Sequence, residues 1–539
     1  MRSARRALGV TAALGALLAT AQPALAQPTA PTFEVPAKFA EQRIQWAPCF
    51  DGELPPELPP GSERLECGTF TAPMDWHDPD NGKEVSLAVS RLSPEGGPAG
   101  RALFTNPGGP GGAGLNFPLA MLGNGRPELT ANFDIYGIDV RGTGASDTVS
   151  CGSLEPPEPQ PDPRDRDPQN IEALLGMARD FAEACQQHSG EFGRYVTTEQ
   201  TVADLDLLRQ VERHDKINWY GVSGGTWLGA YLATYFPGSV DKVVLDSNTE
   251  FTADWQQVFS WQPRSFERRL REDLLPWLAA HDANYHLGTT PEQVQATVDK
   301  LRAQLKENPL PGPDGVPIDH LALDSMILPA MYSKYTFPAL GDTLVQLRAS
   351  NAGDPVVAAL RDRSTPLVAD PQDSMLATLY SIKCNDTPFR GTPESVVEES
   401  GIEGEKYPFY GYYTISQPCV FWDRPQVDLP QPTGEGLPPV LMLQSENDPA
   451  TALEGAQLAH QGFAGSRMIT VRNEGDHGVY GMGNACVDDA VAAYLLDGVV
   501  PEDTTCEGLP MPEPEVSTFA TTSGGTVLDR LDAVNRAVS

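Results

Sequence analysis

The sequence predicts an α/β fold with a mostly parallel sheet and an inserted, mainly helical cap domain. Three observations support this expectation. Short apolar segments alternate with helical segments over the first half of the chain, which is typical of parallel strands joined by crossover helices. A long stretch with helical periodicity alone then follows. Strand-like segments return near residue 440, so the sheet is interrupted and completed later in the chain.

The strands and helices divide the chain into successive regions. An antiparallel strand pair and then buried strands separated by helices are predicted in the first part of the core, at 66–76, 85–92, 102–106, 133–140, 217–220 and 243–246, with helices near 201–212 and 227–235. The later strands are 438–444 and 468–472. The resulting regions are a core at 41–250, a cap at 251–427 with helices over 261–281 and 291–306, a second core part at 428–515, and a polar tail at 516–539 with a short helix near 527–538.

The N-terminus has the features of an export signal. Arginines within residues 2–6 precede an apolar run, Ala7–Ala21, and a small-residue cleavage site, Ala24–Ala26. This arrangement predicts a secretory signal peptide over 1–26, because the apolar run is too short to span a membrane. The adjacent arginine pair is also a feature of twin-arginine export. We therefore expect a secreted, extracellular protein whose mature chain opens with a leader or pro-segment, 27–40.

The composition excludes several classes of function. The chain of 539 residues has 38 basic and 73 acidic residues, which gives a net charge of −35. Such a charge disfavours binding to nucleic acid or to an anionic membrane surface. After the signal, no run of about 18 apolar residues could cross a bilayer. We expect a monomer with a solvated acidic surface.

The cysteines predict a disulfide framework. Eight cysteines in an exported chain imply disulfide bonds, and proximity in the sequence favours pairs that close local loops. The expected pairs are Cys49–Cys67, Cys151–Cys185, Cys384–Cys419 and Cys486–Cys506. No C-x-x-C and no H-E-x-x-H occurs, so we expect neither a metal site nor another cofactor.

A serine between two glycines is the strongest indication of chemistry. Ser223 lies in G-x-S-x-G, between a short apolar strand and a helix rich in small residues. This is the pattern of a nucleophile elbow, in which a strained turn presents the hydroxyl above the sheet. Glycines are needed on both sides because strand and helix leave no room for a Cβ. The alternative interpretation is a small residue in an ordinary glycine-rich turn.

A serine nucleophile needs a base and a carboxylate that orients the base. Asp448 follows the strand 438–444, and His477 follows the strand 468–472 in a glycine-flanked loop. The chain order Ser, Asp, His is that of α/β-hydrolases, and the ends of parallel strands meet at one edge of the sheet. Glu446 and Asp476 remain alternatives for the acid. The other histidines precede the serine or lie in the cap, apart from His460, which is predicted on the helix after Asp448.

The oxyanion formed during acyl transfer requires two backbone N–H groups. The N–H of Gly224 follows the serine and supplies the first. The second is expected from the loop Pro107–Gly112, whose glycines allow close approach to the substrate. Gly109 is the first candidate in that loop and Gly108 is the second. The loop lacks the Gly-Lys-Ser/Thr of a phosphate-binding loop.

Several segments in chain order form a characteristic set. They are NPGGPGGAG (106–114), DVRGTGAS (139–146), GVSGGTWLGAYLATYFP (221–237), LQSENDPAT (443–451), GDHG (475–478) and, in the cap, HDANYHLGTT (281–290). Together with the cysteine layout they resemble the secreted tripeptidyl aminopeptidases of the proline iminopeptidase-like α/β-hydrolase family. The resemblance extends from Ile44 to Cys506. It implies an α/β-hydrolase fold whose second core part, 428–515, is of the TAP-like type.

The resemblance also implies an activity. Enzymes of this family are serine exopeptidases, and the expected substrates are peptides with a free N-terminus, from which tripeptides are released. A carboxylate in the cap would bind the terminal ammonium, and the candidates are Glu250 and other cap acids, among which the sequence does not choose. Pro107 replaces the histidine of the usual H-G-G-P-G loop, and Gly224 replaces a tyrosine found in many relatives. The departure at Gly224 bears on residue preference beside the cleaved bond, and not on the mechanism.

Two other functions remain compatible with the sequence. A secreted esterase or lipase could use the same three residues, with the cap covering an acyl chain. The charged cap segment Arg268–Asp273 disfavours this interpretation, because an acyl chain requires apolar surface. A hydrolase that has become a binding module would lack one of the three residues, and none is missing.

Overall fold

The computed structural model describes residues 33–50, 52, 54–152, 157, 159–312, 316–350, 369–514 and 535. Its strands are β1 Ala47–Pro48, β2 Leu65–Pro73, β3 Glu84–Leu92, β4 Ala102–Asn106, β5 Asp134–Ile138, β6 Ile217–Val222, β7 Val240–Asp246, β8 Leu310–Pro311, β9 Pro317–Ile318, β10 Val440–Ser445, β11 Arg467–Arg472 and β12 Thr504–Glu507. Within these residues, all strands except β8 and β9 form one sheet in the order β1-β2-β3-β5-β4-β6-β7-β10-β11-β12. The predicted fold class is thereby confirmed.

The sheet is antiparallel at one edge and parallel elsewhere. The predicted pair β2 and β3 runs antiparallel in continuous register, and β3 joins β5 in the same way. From β5 and β4 to β12 every neighbouring pair is parallel. Strands β7 and β10 are neighbours although the whole cap lies between them in sequence. The interruption predicted from the sequence is therefore a real feature of the sheet.

Helices cover both faces of the sheet and form the cap. Those before the cap are Ala37–Ala40, Phe117–Leu122, Pro127–Thr130, Pro168–Ser189, Thr198–Val211 and Gly224–Tyr235. The region from β7 to β10 contains Trp255–Ser260, Gln262–Arg269, a π-helical turn Leu270–Leu274, Leu275–Ala280, Asp282–Tyr285, Pro291–Glu307, His320–Ala330, Phe337–Ala349, Ala369–Asp386 and Pro393–Lys406. The helices Leu453–Gly462 and Ala485–Asp497 complete the core.

Side chains of the central strands alternate between two apolar layers. In β4, Ala102 and Phe104 join the layer on one face and Leu103 joins the layer on the other. This alternation is what a strand buried on both faces requires. The cap has a separate apolar core that runs from Phe266 to Leu347. Ile382, from the helix Ala369–Asp386, packs instead with the core of the sheet.

Several expectations concern residues beyond the described ones. The signal peptide, 1–26, and the tail helix near 527–538 lie outside the described residues, apart from residue 535. Within the predicted leader, the ring of Phe33 packs beside Trp76 and stacks on Tyr235. No helix in the described part of the chain is long and apolar enough to cross a membrane.

Candidate active site

Ser223 lies on a strained turn between β6 and the helix Gly224–Tyr235. Its backbone has φ 58° and ψ −123°, a conformation that residues with a side chain rarely adopt. The strand and helix are so close that a Cβ on Gly221 would come within 2.2 Å of the Gly225 carbonyl oxygen. The turn is held by the Ser223 N–H, which donates to the Asp246 carbonyl oxygen at 2.9 Å. The predicted elbow geometry is present.

The glycine loop after β4 packs directly against this turn. Gly108 has φ 91°, and a Cβ there would lie 2.3 Å from the Val222 carbonyl oxygen and 2.6 Å from the Gly224 nitrogen. Its own N–H donates to Asn106 Oδ1 at 2.9 Å. Within the described residues, the N–H groups of Gly109 and Gly224 have no hydrogen-bond acceptor. Gly109 is therefore better suited than Gly108 to donate to a substrate oxygen.

His477 and Asp448 are in direct contact. The histidine Nδ1 lies 2.9 Å from Asp448 Oδ1 and 3.0 Å from Oδ2, and both side chains are almost fully buried. Asp448 Oδ1 also accepts the backbone N–H groups of Ala450 and Thr451. These bonds fix the carboxylate, so the histidine ring is oriented by a group that cannot easily rotate. The ring of Tyr332 from the cap packs edge-on against His477 at 5.2 Å.

The two alternative acids are engaged elsewhere. Glu446 accepts the backbone N–H of Asn473 at 2.9 Å. Asp476 binds the guanidinium of Arg269. Neither carboxylate contacts the His477 ring among the described residues. Of the three acids considered from the sequence, the structure brings only Asp448 to the histidine.

The serine and the histidine are not joined by a hydrogen bond in this structure. Ser223 is half-buried, and its hydroxyl has no hydrogen-bond partner among the described residues. Catalytic hydrogen bonds are often formed only when substrate is bound, so the missing Ser223–His477 hydrogen bond is compatible with a common role of the two residues in catalysis. The two loops nevertheless lie at the same edge of the sheet, because β6, β7, β10 and β11 are consecutive parallel neighbours.

Asp246, at the end of β7, links the serine turn to the histidine loop. While its carbonyl oxygen accepts the Ser223 N–H, its carboxylate accepts the N–H groups of Val479 and Tyr480 at 3.0 Å. Burial raises the pKa of Asp246 to about 6. From the sequence, Asp246 is predicted only as part of a strand. The signal that could have identified it is a carboxylate at the carboxyl end of a buried strand.

The other predicted residues are placed as follows. Glu250 follows β7 and is largely buried, and its Oε2 accepts the indole N–H of Trp261 at 2.6 Å. Burial raises the pKa of this carboxyl group.

A cavity beside the elbow is bordered by Gly108, Gly224 and Trp227. No group of three or more potential metal ligands occurs within the described part of the chain.

All eight cysteines are paired, and the pairs are those predicted from sequence proximity. The bonds are Cys49–Cys67, Cys151–Cys185, Cys384–Cys419 and Cys486–Cys506. The last one connects the helix after the histidine loop to β12, at the edge of the parallel sheet. Each bond closes a loop of modest length, which restricts the unfolded chain and stabilises the fold.

Comparison with known proteins gives two family matches and several relatives. The family model described as TAP-like protein matches residues 407–506, and the model of the alpha/beta hydrolase fold matches residues 102–321. The chain is 36% identical to a tripeptidyl aminopeptidase of Streptomyces lividans over 495 residues, which cover 89% of each chain.

Two further relatives are more distant. The serine protease Hip1 of Mycobacterium tuberculosis is 28% identical over 496 residues, covering 86% of this chain and 92% of that protein. A carboxylesterase B of the same organism is 29% identical over 452 residues, covering 81% of this chain and 85% of that protein.

Proposed function

This chain belongs to the TAP-like family of α/β-hydrolases and is a serine hydrolase of the peptidase type, and we propose that it releases tripeptides from the free N-termini of peptides. One observation carries the proposal. The buried His477–Asp448 pair lies at the same edge of the sheet as the strained Ser223 turn. We further propose that the enzyme acts outside the cell, which is supported by its disulfide bonds and by the predicted signal peptide.

The proposed mechanism gives defined roles to the three side chains and to two backbone N–H groups. His477, oriented by Asp448, takes the proton of Ser223, and the serine Oγ attacks the carbonyl carbon of the third residue. The N–H groups of Gly224 and Gly109 stabilise the oxyanion. His477 then protonates the leaving amine. Water, deprotonated by His477, hydrolyses the acyl-enzyme and releases the tripeptide.

An exopeptidase must also recognise the terminal ammonium group. We propose a carboxylate near the cap for this role, and Glu250 is a suitable candidate. It lies after β7 at the carboxyl edge of the sheet, as the active-site loops do, and it is largely buried. Glu250 has no basic partner within the described part of the chain, so an incoming ammonium would offset the cost of desolvating its carboxylate.

The proposal is tested by mass spectrometry of the products of one hexapeptide that contains proline. The peptide is supplied with a free and with an acetylated N-terminus. We expect an N-terminal tripeptide from the free form only. Ser223→Ala should reduce release by about 10⁶-fold while its Tm stays close to that of the wild type. Equal cleavage of both forms would contradict the exopeptidase assignment and the ammonium site.

A second candidate function is supported by one observation, the similarity to a carboxylesterase. An esterase would use the same three residues on an acyl ester. The same assay distinguishes it, with an aryl ester added as a further substrate. Turnover of the ester with neither hexapeptide cleaved would favour the esterase.

A further inference from the structure

A buried cluster of charged residues joins the cap to the loop that carries His477. We call it the cap–loop cluster and define it by Arg269, Asp273 and Lys334 of the cap and by Glu474 and Asp476 of the loop. None of these side chains is more than 8% exposed. The mechanism proposed above uses none of them.

Arg269 connects the two sides of the cluster. Its Nη1 lies 2.6 Å from Asp273 Oδ2, its Nη2 lies 2.5 Å from Asp476 Oδ1, and its Nε donates to the Met331 carbonyl oxygen. The planar guanidinium can donate hydrogen bonds to several acceptors at once in a fixed geometry. Asp476 immediately precedes His477, so this contact acts one residue away from the histidine.

A cap segment around Lys334 runs along the same loop. The Lys334 N–H donates to Asp476 Oδ1 at 2.7 Å, and its Nζ donates to Glu474 Oε2 at 2.6 Å. Two residues earlier, the Tyr332 carbonyl oxygen accepts the backbone N–H of His477 at 2.8 Å. The histidine loop is therefore bound to the cap at three successive points.

The loop of the acid is bound to the same cap residues. Asn447, which immediately precedes Asp448, donates its side-chain amide to both oxygens of Asp273 at 3.2 and 3.3 Å. Since Asp273 also pairs with Arg269, one ion pair of the cap contacts the residue before the acid and the residue before the base.

A glycine in the loop is needed for this approach. A Cβ on Gly475 would lie 2.0 Å from Arg269 Nη1 and 2.6 Å from Asp273 Oδ2. Both neighbours are themselves buried and held by ion pairs, so they could not move aside cheaply. The absence of a side chain at Gly475 lets the Arg269–Asp273 pair lie against the loop backbone.

Stability alone does not explain five buried charges. Burial of ion pairs costs desolvation energy that is often not recovered, and apolar side chains of similar volume are commonly as stabilising. We propose that Arg269 and Lys334 are positioning residues, through which the cap fixes His477 against Asp448. This inference rests on the proposed function, in which His477 is the base and Asp448 is the acid that orients it.

The experiment replaces two cap arginines, each of which bridges two carboxylates, with lysine. Arg269→Lys keeps the charge, but the ammonium lacks the planar fork that reaches Asp273, Asp476 and the Met331 carbonyl oxygen in fixed directions. Arg302→Lys is the matched control, because this cap arginine bridges Asp324 of the cap and Asp162 of the core, away from the histidine loop. We expect both variants to lose thermal stability. Only Arg269→Lys should lose kcat, by about 10- to 100-fold, with KM within about threefold of the wild type.

The rate of labelling of Ser223 by a serine-directed phosphonate is the second readout. It reports the reactivity of the serine independently of peptide preference, and it should fall in Arg269→Lys by the same factor as kcat. A wild-type protein that resists the phosphonate would contradict the proposed function and this inference together. Normal labelling of both the wild type and Arg269→Lys would overturn the positioning role alone. Equal losses of kcat in both arginine variants would also overturn it.

Gly475→Ala provides a variant that changes no charge. The added Cβ should displace the Arg269 guanidinium from the loop and lower kcat and the labelling rate in the same way as Arg269→Lys. If Arg269→Lys does not fold, the Gly475→Ala variant alone tests the positioning role of Arg269. A folded Gly475→Ala protein with the kcat of the wild type would contradict the proposal.

Discussion

The two halves of the candidate site are built by different means. The half around Ser223 is formed by backbone conformation: Ser223, Gly108 and Gly109 all have positive φ, and the N–H groups of Gly109 and Gly224 are left without acceptors in the described part of the chain. The half around Asp448 and His477 is formed by buried side chains, in which the carboxylate of Asp448 is hydrogen-bonded both to the histidine Nδ1 and to two backbone N–H groups.

This difference follows from what each half has to do. Donors for an oxyanion must be rigid yet unoccupied before the reaction, and strained backbone at closely packed glycines meets both needs. A base must instead be held in one orientation throughout, which requires many partners. A change in either half should therefore affect the rate of the chemical step, but by different amounts.

Apart from the loss of the Ser223 nucleophile itself, the largest effect is expected in the side-chain half. Asp448→Asn keeps the shape of the side chain but removes the charge that orients and stabilises His477. We expect kcat to fall by about 10⁴-fold without loss of the fold, as measured by tripeptide release and circular dichroism. Glu446→Gln is the control, since Glu446 contacts Asn473 and not the histidine. A large loss in Glu446→Gln with little in Asp448→Asn would reverse the assignment of the acid.

A smaller effect is expected in the backbone half. Gly109 has φ 107°, and a Cβ there would lie 3.0 Å from the nitrogens of Gly111 and Gly112. Gly109→Ala should move the N–H away from the oxyanion and reduce kcat by about 10²-fold, with little change in KM. Gly97→Ala is matched to it, since Gly97 has φ 101° with open space around it. If the two variants lose activity equally, backbone strain in general is the cause and the oxyanion role is wrong.

The smallest effect concerns Asp246, which contacts both halves. Its pKa of about 6 exceeds the value of 3.8 for an exposed aspartate, so its contribution to stability is present below about pH 4 and is lost as pH rises to about 6. The stability of Asp246→Asn relative to the wild type should therefore increase between pH 4 and 6, by roughly 3 kcal/mol at most. Urea unfolding at several pH values measures this change. Asp241→Asn, at a more exposed position on the same strand, serves as the control. If the stability difference between Asp246→Asn and the wild type does not change with pH, the prediction is wrong.

Sequence patterns predicted the parts of the fold that local periodicity encodes. The central strands are short apolar runs, and Ser223, Asp448 and His477 follow strands that meet at one edge of the sheet. The helix Pro168–Ser189 was not predicted, although its N-cap Asp167 followed by proline is a recognised start signal. The observed bounds of the helices and strands differ from the predicted ones by a few residues. For example, the helix after Ser223 was predicted at 227–235 and begins directly at Gly224.

The cap–loop cluster could not be predicted in the same way. Arg269 and Asp476 are far apart in sequence and meet only because the cap folds back over the sheet edge. Charged residues in a helix are usually solvated, and no spacing rule distinguishes the few that are buried against another domain. Asp246 was missed for a related reason, since its partners Val479 and Tyr480 belong to a loop formed much later in the chain.

The position of the cap in the chain also affects biosynthesis. Strands β7 and β10 pair at Val243 and Val440, so this part of the sheet cannot close until the entire cap has been synthesised. Contacts between such distant segments form late in folding. A nascent chain therefore carries Ser223 before Asp448 and His477 have been synthesised. Such a chain cannot cleave neighbouring peptides, and this delay requires no separate inhibitory segment.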